Sequence, residues 1–211
     1  MRYRDRSDAG RRLAAALEEV GYGPDDGRII LGVARGGVPV AVEVAAALGG
    51  ELDVAVARKI GAPGNPEFAI GAVAAGGEPI LNEAVIRSYR ISPEYVADTV
   101  KRARDEIDRR TVAYQAGRAA PDPTGRVVIV VDDGVATGST LIAVLRSVRA
   151  SGAGSVVCAV PVGPPETVSA LRSEADDVVC PSQPRSFMAV GGWYDDFSQL
   201  SDDEVVALLR G

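Results

Sequence analysis

The chain has 211 residues, 46% of them apolar, enough to bury one sizeable core as a single domain. Its net charge of −6 excludes a general binder of nucleic acid or of an anionic membrane surface. The absence of histidine excludes imidazole bases, Ser-His-Asp and Cys-His nucleophile systems and histidine metal sites, leaving carboxylates, Lys, Arg, Tyr, backbone amides and oxygen-held metals.

The N-terminal run Met-Arg-Tyr-Arg-Asp-Arg is charged, and no apolar stretch of signal-peptide or membrane-spanning length follows it. A soluble, cytoplasmic protein without a membrane partner is expected. Residues 8–20 read as an amphipathic helix, with Leu13, Leu17 and Val20 on its apolar stripe, Ser7 or Asp8 as cap and Gly21 as stop. A short apolar strand over 28–33 runs into Ala34-Arg35-Gly36-Gly37. A helix follows through Val40, Val44, Ala45 and Leu48 to Gly49-Gly50. The next strand, 52–57, ends at Arg58-Lys59. Segment 60–67 is rich in Gly, Pro and Asn, shows neither helical nor strand period, and reads as a loop. Residues 68–81 predict a β-hairpin around Gly76-Gly77.

Ser92-Pro93 opens a long charged helix to about Gln115, with Ser as N-cap and Pro at the first helical position. The charges of 101–110 read as its solvated face. Residues 127–131, Val-Val-Ile-Val-Val, predict a strand buried on both faces. Asp132-Asp133 ends it, a loop of small residues follows, and Leu141, Val144, Leu145 and Val148 then stand at helical spacing. A strand at 155–160, a helix from about 165 to 173 and a strand at 177–180 come next. Cys158 and Cys180, each behind two valines, read as buried inert thiols. The tail carries an aromatic cluster over 187–197 and a last helix whose Ser201-Asp-Asp-Glu204 is a capping box.

Strands alternating with helices predict a three-layer α/β/α fold with a mainly parallel twisted sheet. Ligands in such sheets sit at the carboxyl ends of the strands, where loops 34–37, 58–67 and 132–140 emerge. The run from 127 to 148 makes a site for a sugar phosphate. Loop amides and the positive end of the helix can hold a phosphate, and Asp132 and Asp133 can accept from ribose hydroxyls or hold a divalent metal.

The segment Val-Val-Asp-Asp-Gly-Val-Ala-Thr-Gly-Ser-Thr resembles the phosphoribosyl pyrophosphate (PRPP) motif of type I phosphoribosyltransferases. It is neither the nucleoside-triphosphate P-loop nor the dinucleotide fingerprint. Ala34-Arg35-Gly36-Gly37 looks like that family's pyrophosphate loop, where many members hold a non-proline cis peptide. Arg58-Lys59 resembles the basic pair before its flexible catalytic loop. The resemblance spans roughly residues 28 to 165. It implies a core of about 28–180, a flexible loop of about 60–80, and a small hood from about 1–6 and 181–211.

The resemblance also implies roles. Ala136, Thr137, Gly138, Ser139 and Thr140 would hold the 5-phosphate, and Asp132 and Asp133 the ribose hydroxyls, directly or through magnesium. Arg35, Gly36, Gly37, Arg58 and Lys59 would bind the pyrophosphate, Arg in bidentate fashion and Lys as a point charge. The reaction would displace pyrophosphate from PRPP with a small nitrogenous acceptor, in a homodimer that binds no nucleic acid. Hypoxanthine-guanine enzymes carry an aspartate where this chain has Ala136, so a 6-oxopurine acceptor is not favoured. The loop is closer to the adenine enzymes, in which a glutamate of the mobile loop is a proton shuttle, a role that falls here to Glu67. The tail resembles the hood, with Phe187 or Trp193 as a stacking face and Asp195 or Asp196 as a partner for ring substituents. A non-catalytic PRPP-sensing module on the same fold is the alternative, and a phosphatase or other hydrolase a third.

Overall fold

Helix α1 (Arg6–Glu19) starts earlier than expected because Asp5, not Ser7 or Asp8, is its cap. The Asp5 carboxylate accepts from the Asp8 amide at 2.7 Å, and the Asp8 carboxylate accepts in turn from the Arg4 amide at 3.1 Å. Two orphan donors are thereby satisfied at once. The chain then forms β1 (Ile29–Val33), α2 (Gly37–Leu48) and β2 (Glu51–Ala55). These coordinates are a computed structural model, which describes residues 2–25, 27–115 and 117–210 and, among these, every side chain but that of Glu67.

The segment read as a loop at 60–67 is instead part of a second sheet. β3 (Ala57–Ala62) and β4 (Asn65–Ala74) pair antiparallel, with register shifts around Gly61. Ala62-Pro63-Gly64-Asn65 supplies the turn, with Gly64 at φ +73° as a Pro-Gly turn requires. A side chain at Gly61 would stand 2.6 Å from the Pro66 carbonyl oxygen, so this strand pair needs the residue that hid its period. The hairpin expected around Gly76-Gly77 forms between β4 and a two-residue β5 (Ile80–Leu81). A short helix α3 (Glu83–Ser88), which the sequence reading lacks, is capped by Asn82 accepting from the Val85 amide at 3.1 Å.

Helix α4 (Pro93–Gln115) matches expectation, with the Ser92 hydroxyl accepting from the Tyr95 amide at 3.2 Å. β6 (Val127–Val131), α5 (Ser139–Ala150), β7 (Ser155–Ala159), α6 (Pro165–Leu171) and β8 (Asp177–Val179) follow. The last helix, α7 (Asp202–Arg210), carries the expected capping box: the Glu204 carboxylate accepts from the Ser201 amide at 2.7 Å.

The main sheet has the order β2-β1-β6-β7-β8 with every neighbouring pair parallel. Alternation decides its layers. Val128 and Val130 of β6 pack with Leu141, Val144 and Leu145 of α5, whereas Ile129 and Val131 pack with Leu13 and Leu17 of α1 and Val40 and Val44 of α2. Each such buried aliphatic side chain contributes about 1.5–3 kcal/mol of transfer free energy, which is why the strand is apolar throughout. A third cluster joins β3 and β4 to α4 and α7 through Ile60, Ile70, Ile107 and Val205. The chain ends meet: the Tyr3 amide donates to the Trp193 carbonyl and the Asp195 amide to the Tyr3 carbonyl, each at 2.9 Å.

Candidate functional site

β1 and β6 are neighbours, yet the helices that leave them cover opposite faces of the sheet, α2 one and α5 the other. The loops after the two strands therefore diverge and open a crevice at their carboxyl ends. The sequence places Ala34-Arg35-Gly36-Gly37 on one side of it and Asp132-Asp133 on the other. The Ala34–Arg35 peptide is cis.

The two loops touch through glycine. A Cβ built on Gly36 would lie 2.0 Å from Asp133 Oδ2, and one on Gly37 would lie 2.5 Å from the Val131 carbonyl oxygen. Gly36 has helical backbone angles, φ −64° and ψ −33°, so close approach and not conformation demands glycine here.

Asp133 is 8% exposed. Its Oδ2 accepts from Arg6 Nε at 2.8 Å, and its backbone carbonyl accepts from the buried Tyr194 hydroxyl. Arg6 also donates to the Ser198 carbonyl and lies 4.0 Å over the Phe197 ring. Asp132, half-buried, turns toward the small-residue loop, and its Oδ1 accepts from the Asp133 amide at 2.9 Å. Burial pushes both carboxyls above the usual carboxylate range, and the neighbouring Asp133 charge adds to the effect on Asp132; Arg6 opposes it.

Beyond the acids, Gly138 takes the left-handed conformation at φ +79° and caps α5 with no side-chain hydrogen bond. The first-turn amides of α5 thus face a cavity of about 200 Å³ lined by Lys59, Asp132 and the loop from Gly134 to Leu141. Thr167 steadies this loop by donating to the Ala136 carbonyl at 2.7 Å.

A larger cleft of about 630 Å³ lies between β3 and α4. Arg35, Arg58, Lys59 and Thr140 line it, bringing the three sequence-read segments to one place. Arg102 and Arg110 line it as well, which corrects the reading of 101–110 as solvated face only. The remaining charges there do pair on the surface, Lys101 with Asp105 at 2.8 Å and Arg109 with Glu106 at 2.9 Å.

The aromatic tail is placed differently from the sequence reading. Phe187 and Trp193 stack on each other, centroids 6.1 Å apart, beside the buried cluster of Tyr3, Val162 and Tyr194, and neither lines the cavities around the acids. Asp195 pairs with Arg2 at 2.7 Å, and Asp196 accepts from the Ser198 amide at 2.9 Å. None of the four lines the cleft or the cavities around the acids. Val190 and Phe197 reach these cavities instead; Phe197 borders a cavity of about 430 Å³ with Arg6, Arg35, Asp133 and Gln199. Glu67 lies in β4, but its side chain is outside the described residues.

The family model of the phosphoribosyl transferase domain matches residues 4–197. The chain belongs to this family. It is 44% identical over 205 residues, 97% of its length, to a Mycobacterium tuberculosis protein itself assigned only provisionally as a phosphoribosyl transferase. It covers 46% of that protein, so the chain spans about half the length of the curated relatives it matches. A solved Thermus thermophilus structure, TT1426, is 46% identical, with a TM-score of 0.81 over 99% of this chain and 98% of that one. An Aquifex aeolicus structure, AQ2163, shares the fold at 12% identity, with a TM-score of 0.53 over 88% of this chain and 78% of that one.

In this phosphoribosyl transferase domain the donor set suits a hard cation. Asp132 and Asp133 are adjacent, oxygen-only and desolvated, while no cluster of three His, Cys, Asp or Glu forms among the described residues. Magnesium commonly takes one or two carboxylates and completes its shell with water and substrate oxygens. Sequence reasoning missed Arg6, Phe197, Tyr194, Arg102 and Arg110. Arg6 lies 127 residues from its partner and had no local signal, whereas Tyr95, Thr99, Arg102 and Arg110 share a helical spacing that could have been noticed.

Proposed function

We propose that this chain is a magnesium-dependent phosphoribosyltransferase, displacing pyrophosphate from PRPP with a small nitrogenous acceptor. The observation that carries this reading is the fit of the two loops, in which the Asp133 carboxylate fills the space that a side chain at Gly36 would take. That fit sets a cation-bearing loop against an acidic pair, beside a helix N-terminus free of side-chain caps. One ligand with a 5-phosphate, ribose hydroxyls and a diphosphate meets all three.

In the reaction the acceptor nitrogen bonds to the anomeric carbon as the carbon–oxygen bond to the diphosphate breaks, and its electron pair leaves on pyrophosphate. The acceptor's proton passes to a base, for which we assign Glu67. The amides of Ala136 to Thr140 fix the 5-phosphate, and Arg35, Arg58 and Lys59 stabilise the departing charge. Asp132 and Asp133 would hold magnesium, whose chemistry is to neutralise charge on the leaving group. Ala136 supplies no carboxylate for the ring of a 6-oxopurine, and Phe197, 37% exposed at the Asp133 cavity, offers a face for the acceptor.

Titration calorimetry with PRPP and magnesium tests the site. The wild-type chain binds, and Asp132→Asn with Asp133→Asn loses most of that affinity; equal affinity in the double variant overturns the assignment. A pyrophosphate-release screen over purines, pyrimidines and other nitrogen acceptors tests turnover. Tight PRPP binding with silence across the panel replaces the enzyme by a PRPP-sensing module.

A further inference from the structure

Helix α4 lies outside the sequence segments assigned above to the donor site, yet it forms one wall of the basic cleft. Its rotation is set by packing, because Ala103 and Ile107 are buried against Ile60 and Val73. The Tyr95 hydroxyl ties one end of the helix to β3 by donating to the Gly61 carbonyl at 3.1 Å. At the other end, the charges of Arg110 and Arg35 both bear on Tyr114. Residues 95, 99, 102, 103 and 110 therefore face the cleft as a fixed row, with Arg102 and Arg110 about 12 Å apart along the axis.

The row is cationic, and its one acid is Glu106, which Arg110 shares with Arg109. Five cations line the cleft, and among the described residues no carboxylate does, in a chain whose net charge is −6. The other α4 cations have acids: Lys101 pairs with Asp105, Arg104 with Glu78 and Arg109 with Glu106. Among the described residues Arg102 holds the Thr99 hydroxyl, at 3.2 Å, and no acid. Arg110 places one N–H on Glu106 at 2.8 Å, which orients the guanidinium and leaves its other donors for a ligand. Such a concentration of like charge is relieved by a multiply charged anion.

We propose that Arg102 and Arg110 complete the diphosphate site with Arg35, Arg58 and Lys59, so that α4 clamps the leaving group from the side opposite β3. This rests on the reading of the crevice as a PRPP site. Its consequence is that pyrophosphate itself is held by α4, while the sugar phosphate is held by the loop after β6.

Calorimetric titration of the full chain with inorganic pyrophosphate and, separately, with ribose 5-phosphate separates the two. Arg102→Gln weakens pyrophosphate binding about tenfold, the loss of one charge-assisted hydrogen bond. The double variant with Arg110→Gln weakens it roughly a hundredfold, and ribose 5-phosphate affinity stays at the wild-type value. Arg110→Lys, which keeps the charge, recovers part of the loss, and the exposed Arg102 site leaves the unfolding temperature unchanged. Unchanged pyrophosphate affinity in the double variant overturns the proposal, as do equal losses for both ligands or no pyrophosphate binding by the wild type. Pyrophosphate binding that depends on both arginines, with no ribose 5-phosphate binding, upholds the α4 clamp and instead overturns the sugar-phosphate reading.

Discussion

Replacing Arg6 by methionine tests whether the acidic pair is held from the chain's first helix. Arg6 and Asp133 are each 12% exposed at the side chain and meet at 2.8 Å. Removing one partner of a buried ion pair costs about 3–5 kcal/mol, because the other charge stays desolvated; the residual exposure places this pair near 3. Loss of the contact with Phe197 adds about 0.5–1 kcal/mol. For a domain of this size each kcal/mol lowers Tm by about 2–4 °C, so Arg6→Met should unfold about 7–16 °C below the wild type in differential scanning calorimetry. Asp133→Asn in the same chain removes the stranded charge and should recover most of the loss. A drop below about 2 °C for Arg6→Met, or a full further drop on adding Asp133→Asn, would refute the argument that Arg6 neutralises a buried carboxylate.

Gly36→Ala leaves the backbone conformation allowed but places a methyl group 2.0 Å from Asp133 Oδ2. Overpacking of this kind costs about 1–3 kcal/mol, and PRPP affinity in calorimetry should fall with Tm; wild-type values for both would show that the two loops do not depend on contact. Asp53 gives a pH test outside the site. Burial raises its folded pKa above the unfolded value, so its contribution to stability is lost as pH rises through the carboxylate range and is missing in full at neutral pH. Asp53→Asn should therefore raise Tm at pH 7 and bring less benefit below pH 4. A lower Tm at pH 7 would mean that the 3.7 Å pair with Arg118, 41% exposed, outweighs desolvation.

What was legible in the sequence was what short-range chemistry determines. Five β-branched residues announced β6, Ser92-Pro93 announced α4 and Ser201 with Glu204 announced α7, since each signal and its hydrogen bonds lie within a few residues. Gly61, Pro63 and Gly64 misled for a related reason. They break any period, yet they also permit the turn and close approach that join β3 to β4. Partners distant in sequence were invisible. Nothing near Arg6 points to Asp133, and nothing near Phe187 and Trp193 says that the two rings stack on each other beside the paired chain ends.

This division has a physical basis that bears on the site itself. The phosphate loop is local, a strand, a turn and a helix N-terminus in one run, so its function could be read directly. The cleft for the leaving group is assembled from the loop after β1, from β3 and from α4, segments brought together by the third hydrophobic cluster and the Tyr95–Gly61 hydrogen bond. Buried Ile107 and Ala103 therefore decide which arginines of α4 face inward, and a helix with the same charges but its apolar stripe rotated by one position would present a different set. Charge in this cleft is thus specified by the packing stripe that borders it on the same side of the helix, with Ala103 belonging to both.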